Sequence, residues 1–190
     1  ILATTSPYRR RLLERLQLPF RCVSPETDET PLPDEAPAAL AVRLARAKAE
    51  SIARLQPGAL VIGSDQVASI EGSIMGKPGN FNNASAQLRS SSGREVVFYT
   101  AIALIAPNRD QERFHVERFC VRFRALSDSQ ITNYLHREQP YDCAGSFKVE
   151  GLGIALFESL IGDDPTSLEG LPLIKLTRLL GELGVDILHN

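Results

Sequence analysis

A single α/β domain, layered around a mixed sheet, is the fold class that the 190-residue sequence predicts. Three observations predict it. Stripes of helical period alternate with short apolar runs. Two strand-rich segments, 96–105 and 114–123, sit mid-chain as a long antiparallel hairpin. No repeat, low-complexity tract or dividing linker interrupts the sequence, so residues 1–190 read as one domain.

Each element has its own reason. Ile1 to Thr4 is short and apolar, a buried strand. Ser6-Pro7 starts a helix, with Ser as N-cap and Pro at the first helical position, and Leu12, Leu13 and Leu16 supply its apolar stripe. Phe20 to Val23 is a second short strand. Residues 24–37 hold four prolines and many acids and read as a loop. Residues 38–55 form a long helix with Leu40, Leu44, Ala47 and Leu55 near one face, ended by Pro57-Gly58. Ala59 to Ile62 is an interior strand that runs through Gly63-Ser64-Asp65-Gln66 to Ile70. Glu71-Gly72 and Gly76-Lys77-Pro78 are turns, and Asn82 to Ser91 is a helix. The hairpin strands follow, joined by a polar loop around Pro107-Asn108. Ser127 caps a helix to about Arg137, with Asp128 in its first turn. Residues 140–153 are punctuated by glycine, and Ala155 to Ile161 is a strand. Leu176, Leu179, Leu180 and Leu183 fall at i, i+3, i+4 and i+7, a C-terminal helix.

Composition excludes several functions. The 43% hydrophobic and 23% charged residues belong to a globular chain, not a disordered one. A net charge of −2 gives no footprint for a nucleic-acid partner, so any anion site must be a local basic cluster. No apolar run nears the ~20 residues that cross a bilayer, so no membrane partner is expected. Cys22, Cys120 and Cys143 lie far apart and are odd in number. They read as buried or idle thiols in a reducing cytoplasm. The chain opens on Ile1-Leu2-Ala3 without a charged n-region or an initiator Met. No signal peptide and a few preceding residues are therefore expected.

Several residues break local rules. Arg9, Arg10 and Arg11 crowd the first turn of a helix, where cations are disfavoured by ~0.3–1 kcal/mol each. A bound anion would relieve them, cradled by free backbone N–H groups, the Thr5 and Ser6 hydroxyls and guanidinium forks. A solvated charge run is the alternative. Asp65 follows the apolar Leu60-Val61-Ile62, where open α/β sheets place ligands. It is a candidate metal ligand or base, or else an Asx-turn residue. Glu29, in the proline-rich loop, is a second oxygen donor or simply a solvated acid. Lys48 lies on the edge of the apolar face of its helix, where snorkelling would also put a lysine. Lys77, between Gly76 and Pro78, could reach phosphate oxygens or be a plain turn lysine.

Familiar signatures fail. Gly72 and Gly76-Lys77-Pro78 are too closely spaced for a P-loop, and no Ser or Thr follows Lys77. Gly151 and Gly153 lack the third glycine of a dinucleotide fingerprint. His115, His136 and His189 make no zinc pattern.

Taken together, the fragments resemble one family. They are Ala3-Thr4-Thr5-Ser6-Pro7-Tyr8-Arg9-Arg10, Asp28-Glu29, Ala47-Lys48-Ala49, Gly63-Ser64-Asp65-Gln66, Gly76-Lys77-Pro78, Ala144-Gly145-Ser146-Phe147-Lys148-Val149-Glu150-Gly151 and Gly170-Leu171-Pro172-Leu173. In that order and spacing they resemble the Maf-like nucleotide pyrophosphatases over essentially the whole chain. The resemblance implies an inosine-triphosphatase-like fold, a mixed central sheet flanked by helices with a cleft between two lobes. It implies hydrolysis of a nucleoside triphosphate at the α–β phosphate bond, to monophosphate and pyrophosphate, with a divalent cation, Mg²⁺ or Mn²⁺. Ser6, Arg9 and Arg10 would then hold phosphates, and Glu29 and Asp65 the metal. Asp65 would also accept the proton of the attacking water, while Lys48 and Lys77 offset phosphate charge. A homodimer is compatible with the family.

The Ser146-Phe147-Lys148-Val149-Glu150-Gly151 segment, with Gln66 after Asp65, is similar to the branch acting on 7-methyl-GTP. Guanine offers N1–H and N2–H to a carboxylate, and N7 methylation makes the ring cationic. Tyr8, Gln66 and Glu150 are therefore the expected base-selecting residues. Lys148 could pair with Glu150 or touch phosphate. Two other functions stay open: a dTTP/UTP pyrophosphatase, and a nucleotide-binding regulator of cell division without turnover. A turnover assay separates them.

Overall fold

The computed structural model describes residues 1–107 and 111–189, and shows a mixed sheet flanked by helices. In chain order the elements are β1 (Leu2–Ala3), α1 (Pro7–Glu14), β2 (Cys22–Val23), α2 (Pro37–Leu55), β3 (Val61–Ile70) and β4 (Ser73–Met75). Then come α3 (Phe81–Ser91), β5 (Glu95–Ile105), β6 (Glu112–Phe123), α4 (Asp128–Glu138), β7 (Phe157–Ile161) and α5 (Leu173–Glu182). Short 3-10 turns occupy Ala144–Ser146, Leu152–Leu156 and Pro165–Glu169.

The sheet runs β2-β1-β3-β5-β6-β7, with β4 also on β3. β1 is parallel to β2 and β3, and the other pairings are antiparallel. β3 organises the molecule. One edge pairs with β5 from Val61 to Ser69. The other pairs with β1 at Ile62 and Gly63 and with β4 from Ala68 to Ile70. Between those two pairings, the edge from Ser64 to Val67 has no strand beside it.

Period-two alternation then sorts the β3 side chains. Val61, Gly63, Asp65 and Val67 face α2, where Leu40, Leu44, Ala45, Ala49 and Ile52 form one apolar cluster. Ile62, Ser64 and Gln66 face the opposite side, where Leu12 and Leu13 of α1 meet Leu173, Leu176 and Leu180 of α5. A third cluster, around Phe98, Phe123, Leu135 and Phe147, packs α3 and α4 against the far half of the sheet. The cleft lies between this lobe and the β1–α1 end.

Gly63 is required by proximity. A Cβ there would overlap the Ala45 carbonyl oxygen and sit 2.7 Å from the Ala49 nitrogen. Strand and helix therefore touch through backbone, which brings Lys48 within reach of Asp65.

Most expected elements appear near their predicted bounds, including the Ser6 N-cap, Pro7 at the helix start and the Ser127 capping box. Four details differ. Leu55, expected near the apolar face of α2, is instead 72% exposed. Leu16 lies beyond the end of α1, yet still packs on the core. β7 starts at Phe157, because Leu152–Leu156 first close a 3-10 turn. β4 is three residues long, too short to show a period. Of the expected hairpin loop, Asn108 lies outside the described residues. No described helix is long and apolar enough to cross a membrane.

Candidate active site

A cavity of about 610 Å³ opens where β3 lacks its second neighbour. That is within the size range of small-molecule sites, roughly 300–1,000 Å³. Ser6, Tyr8, Arg9, Glu29, Lys48, Asp65, Gln66, Lys77 and Glu150 all line it. Arg10 does not. Neighbours on a helix point about 100° apart. With Arg9 turned inward, Arg10 lies along the surface, its Nε donating to Glu14 Oε1 at 3.0 Å. The structure therefore does not bring Arg10 into the cleft.

The centre is a lysine between two carboxylates. Lys48 Nζ donates to Asp65 Oδ1 at 2.6 Å and pairs with Glu29 Oε1 at 2.5 Å. Lys48 and Asp65 are buried, with 6% and 7% exposure, whereas Glu29 is exposed on its loop. A buried, paired ammonium is not a snorkelling one, so that alternative for Lys48 falls. Burial alone would push the Glu29 carboxyl up. The hydrogen bond and charge of Lys48, with the charges of Lys77 and Arg9, outweigh burial and hold it below its ordinary 4.5.

Arg9 is half-buried at the start of α1. Its Nε donates to the Gly170 carbonyl at 2.9 Å. Burial lowers its guanidinium from the ordinary value, and Asp65 and Glu29 oppose that shift. A guanidinium stays charged regardless. Ser6 caps α1 by accepting from Arg9 N, at a long 3.4 Å.

The opposite end is acidic and aromatic. Tyr8 OH lies 3.4 Å from Asp142 Oδ2, and the Arg11 guanidinium sits 5.3 Å from the ring centroid, covering one face. Burial raises the Tyr8 hydroxyl, helped by Cys143, Asp142 and Glu150. Burial also pushes the Cys143 thiol up to about 12, with Asp142 adding to it. Glu169 is raised by burial and then by Glu150. Gln66 turns its Nε2 away from the cleft, onto the carbonyls of Ser167 (2.8 Å) and Leu168 (3.2 Å) and onto Thr100 Oγ1 (3.1 Å). Only its Oε1 remains for a base. Lys148 lines the cavity, and its backbone N–H donates to Tyr134 OH at 3.1 Å.

Sequence reasoning missed two supports. Arg43 of α2 grips Glu35 with Nε at 2.7 Å and Nη2 at 2.8 Å, and reaches the Thr30 carbonyl at 3.0 Å. This clamp holds the loop that carries Glu29. Asp164, fully buried, ties the Pro165–Glu169 turn to the start of α5. The Asp164-Pro165 pair was a visible cap signal for that turn.

Fold and cleft together define a mixed α/β protein whose cavity is cationic at one end and acidic at the other. A family model described as "Maf-like protein" matches residues 1–183, and the chain belongs to that family. It is 53% identical over 188 residues to a 7-methyl-GTP pyrophosphatase of Colwellia psychrerythraea, an alignment covering 99% of this chain and 94% of the relative. A protein of the same name from Bordetella avium is 55% identical over 190 residues, covering 100% and 95%. One from Polaromonas sp. is 55% identical over 187 residues, covering 98% and 85%. The family read from the sequence is the family found.

Proposed function

We propose that this protein hydrolyses a nucleoside triphosphate between its α and β phosphates, with 7-methyl-GTP as preferred substrate. The observation that carries the reading is the Glu29–Lys48–Asp65 cluster, flanked by Arg9 and Lys77 in one cavity. The names of the relatives, 7-methyl-GTP pyrophosphatase at 53–55% identity, support the substrate.

The chemistry follows from the placement. Arg9 and Lys77 bind the polyphosphate and neutralise the leaving pyrophosphate. Asp65 Oδ1 is engaged by Lys48, which leaves Oδ2 to orient a water and take its proton as the water oxygen attacks the α phosphorus. The α phosphorus–oxygen bond to the β phosphate breaks, and pyrophosphate departs. Lys48 holds the carboxylate in position. No covalent nucleophile is required.

Glu29 and Asp65 also suit a divalent cation. Two carboxylates that converge on one ammonium form an oxygen donor set fit for Mg²⁺ or Mn²⁺. No cluster of three or more metal-binding side chains exists among the described residues. Phosphate oxygens and water would complete such a shell. When bound, the ion would screen the phosphate charge and polarise the α phosphate. At the other end, Glu150 accepts from N1–H and N2–H, and the acidic surroundings favour a cationic ring over a neutral one.

The test is pyrophosphate release from a panel of 7-methyl-GTP, GTP, UTP and dTTP with Mg²⁺ or Mn²⁺. Turnover should be highest for 7-methyl-GTP and abolished by EDTA. Absence of turnover with every nucleotide would sink the reading.

A further inference from the structure

Behind Arg9 lies a turn from which the Ser167, Leu168 and Gly170 carbonyls accept from side chains of the sheet. The Gly170 carbonyl accepts from Arg9 Nε at 2.9 Å and from Ser64 Oγ at 3.0 Å. One step earlier, the Ser167 carbonyl accepts from Thr100 Oγ1 at 2.9 Å and Gln66 Nε2 at 2.8 Å. Asp164 locks the turn from below, accepting from Thr166 N and Oγ1 at 3.1 and 2.7 Å and from Ile174 N at 2.7 Å. Gly170 itself sits at φ +109°, a left-handed conformation that suits glycine and aims its carbonyl inward.

Ser64 and Thr100 are 1% and 0% exposed, and neither lines the cavity. They cannot touch a substrate. Arg9, by contrast, spends only Nε on the protein among the described residues. Both Nη groups are left for a ligand. A free arginine side chain would lose rotamer entropy on gripping phosphate. Anchoring Nε removes much of that loss beforehand.

We propose that Ser64 and Thr100 are positioning residues that fix the Arg9 guanidinium for polyphosphate through the carbonyls of the Pro165–Glu169 turn and Gly170. The inference rests on the pyrophosphatase reading for its ligand class. The two serve one purpose from neighbouring strands. Thr100 pairs across from Gln66, and Ser64 across from Ile102. The anchor is therefore built into two paired strands of the sheet.

The test is a double-mutant cycle read as affinity for inorganic tripolyphosphate with Mg²⁺, by titration calorimetry below every variant's melting temperature. Ser64→Ala removes one hydrogen bond but leaves the Gly170 carbonyl paired with Arg9 Nε, so no buried acceptor is left unsatisfied. It should weaken binding about three- to tenfold, the range of one net hydrogen bond. Arg9→Lys lacks the anchored Nε–H, and in that background Ser64→Ala should change affinity less than twofold. Thr100→Val, of similar shape, should repeat the pattern from the second strand. Additive effects in both cycles, or affinity loss only where the variants unfold, overturn the proposal. Preserved coupling in a protein that turns over no nucleotide overturns the pyrophosphatase reading alone.

Discussion

Lys48 is the residue on which the site turns. An ammonium that is 6% exposed needs a counter-charge, and it has two, Asp65 and Glu29. In the proposed reaction Asp65 supplies the proton-accepting oxygen, so Asp65→Asn keeps the shape but removes the base. We expect kcat to fall by more than ~10²-fold with KM little changed, measured by pyrophosphate release. A variant that retains activity would remove Asp65 from that role. At this scale the sequence was informative wherever a residue broke a rule: an acid after an apolar run, cations at a helix start. Arg9 and Arg10 looked equivalent because both broke the same rule. Only the rotation of α1 separates them, one against Gly170 and one against Glu14. The sequence marks Gln66 as base-selecting, yet its Nε2 donates to Thr100 and to carbonyls a hundred residues away, which no local pattern shows.

Elements set the distances between these residues. The open edge of β3 exists because β1 pairs with it at Ile62 and Gly63 and β4 only from Ala68 onward. Strand register of that kind depends on non-local pairing, so β1 and β3 were legible in the sequence but the short β4 and the gap it leaves were not. The proline-rich loop was legible as a loop. Its order was hidden, because the Arg43–Glu35 clamp joins the loop to α2. That clamp has a pH signature. The Arg43 hydrogen bonds, with the Leu32 N–H, hold the Glu35 carboxyl at about 2, against an ordinary 4.5. A depressed carboxyl pKa contributes stability above the unfolded value and loses it as pH falls through the folded one. The melting temperature of the natural protein should therefore exceed that of Glu35→Gln by a constant margin above pH 4.5, shrinking toward zero as pH approaches about 2. A margin that is flat across that window would mean that the clamp does not titrate with Glu35.

Across the whole molecule, the carboxylates of the acidic end come from a different stretch of chain than the charged groups of the phosphate-facing end, although Tyr8 and Arg11 of α1 also reach the acidic end. Arg9, Glu29, Lys48, Asp65 and Lys77 belong to the first half, while Asp142, Glu150 and Glu169 come from the second. With a net charge of only −2, neither end owes its sign to the protein as a whole. Recognition of the phosphate tail and of the base should then be separable, as changes at distant sites without shared partners are. Glu150→Gln is the probe. The amide keeps the shape but loses the charge that favours a methylated, cationic ring and the paired acceptance of its N–H donors. We expect the ratio of kcat/KM for 7-methyl-GTP over UTP to fall about tenfold or more, the scale of one charged hydrogen bond. Tripolyphosphate affinity should stay within twofold, since that ligand has no base to lose. If tripolyphosphate binding weakens in step with the nucleotide, the cleft works as one electrostatic unit, and the division of labour between its ends is wrong.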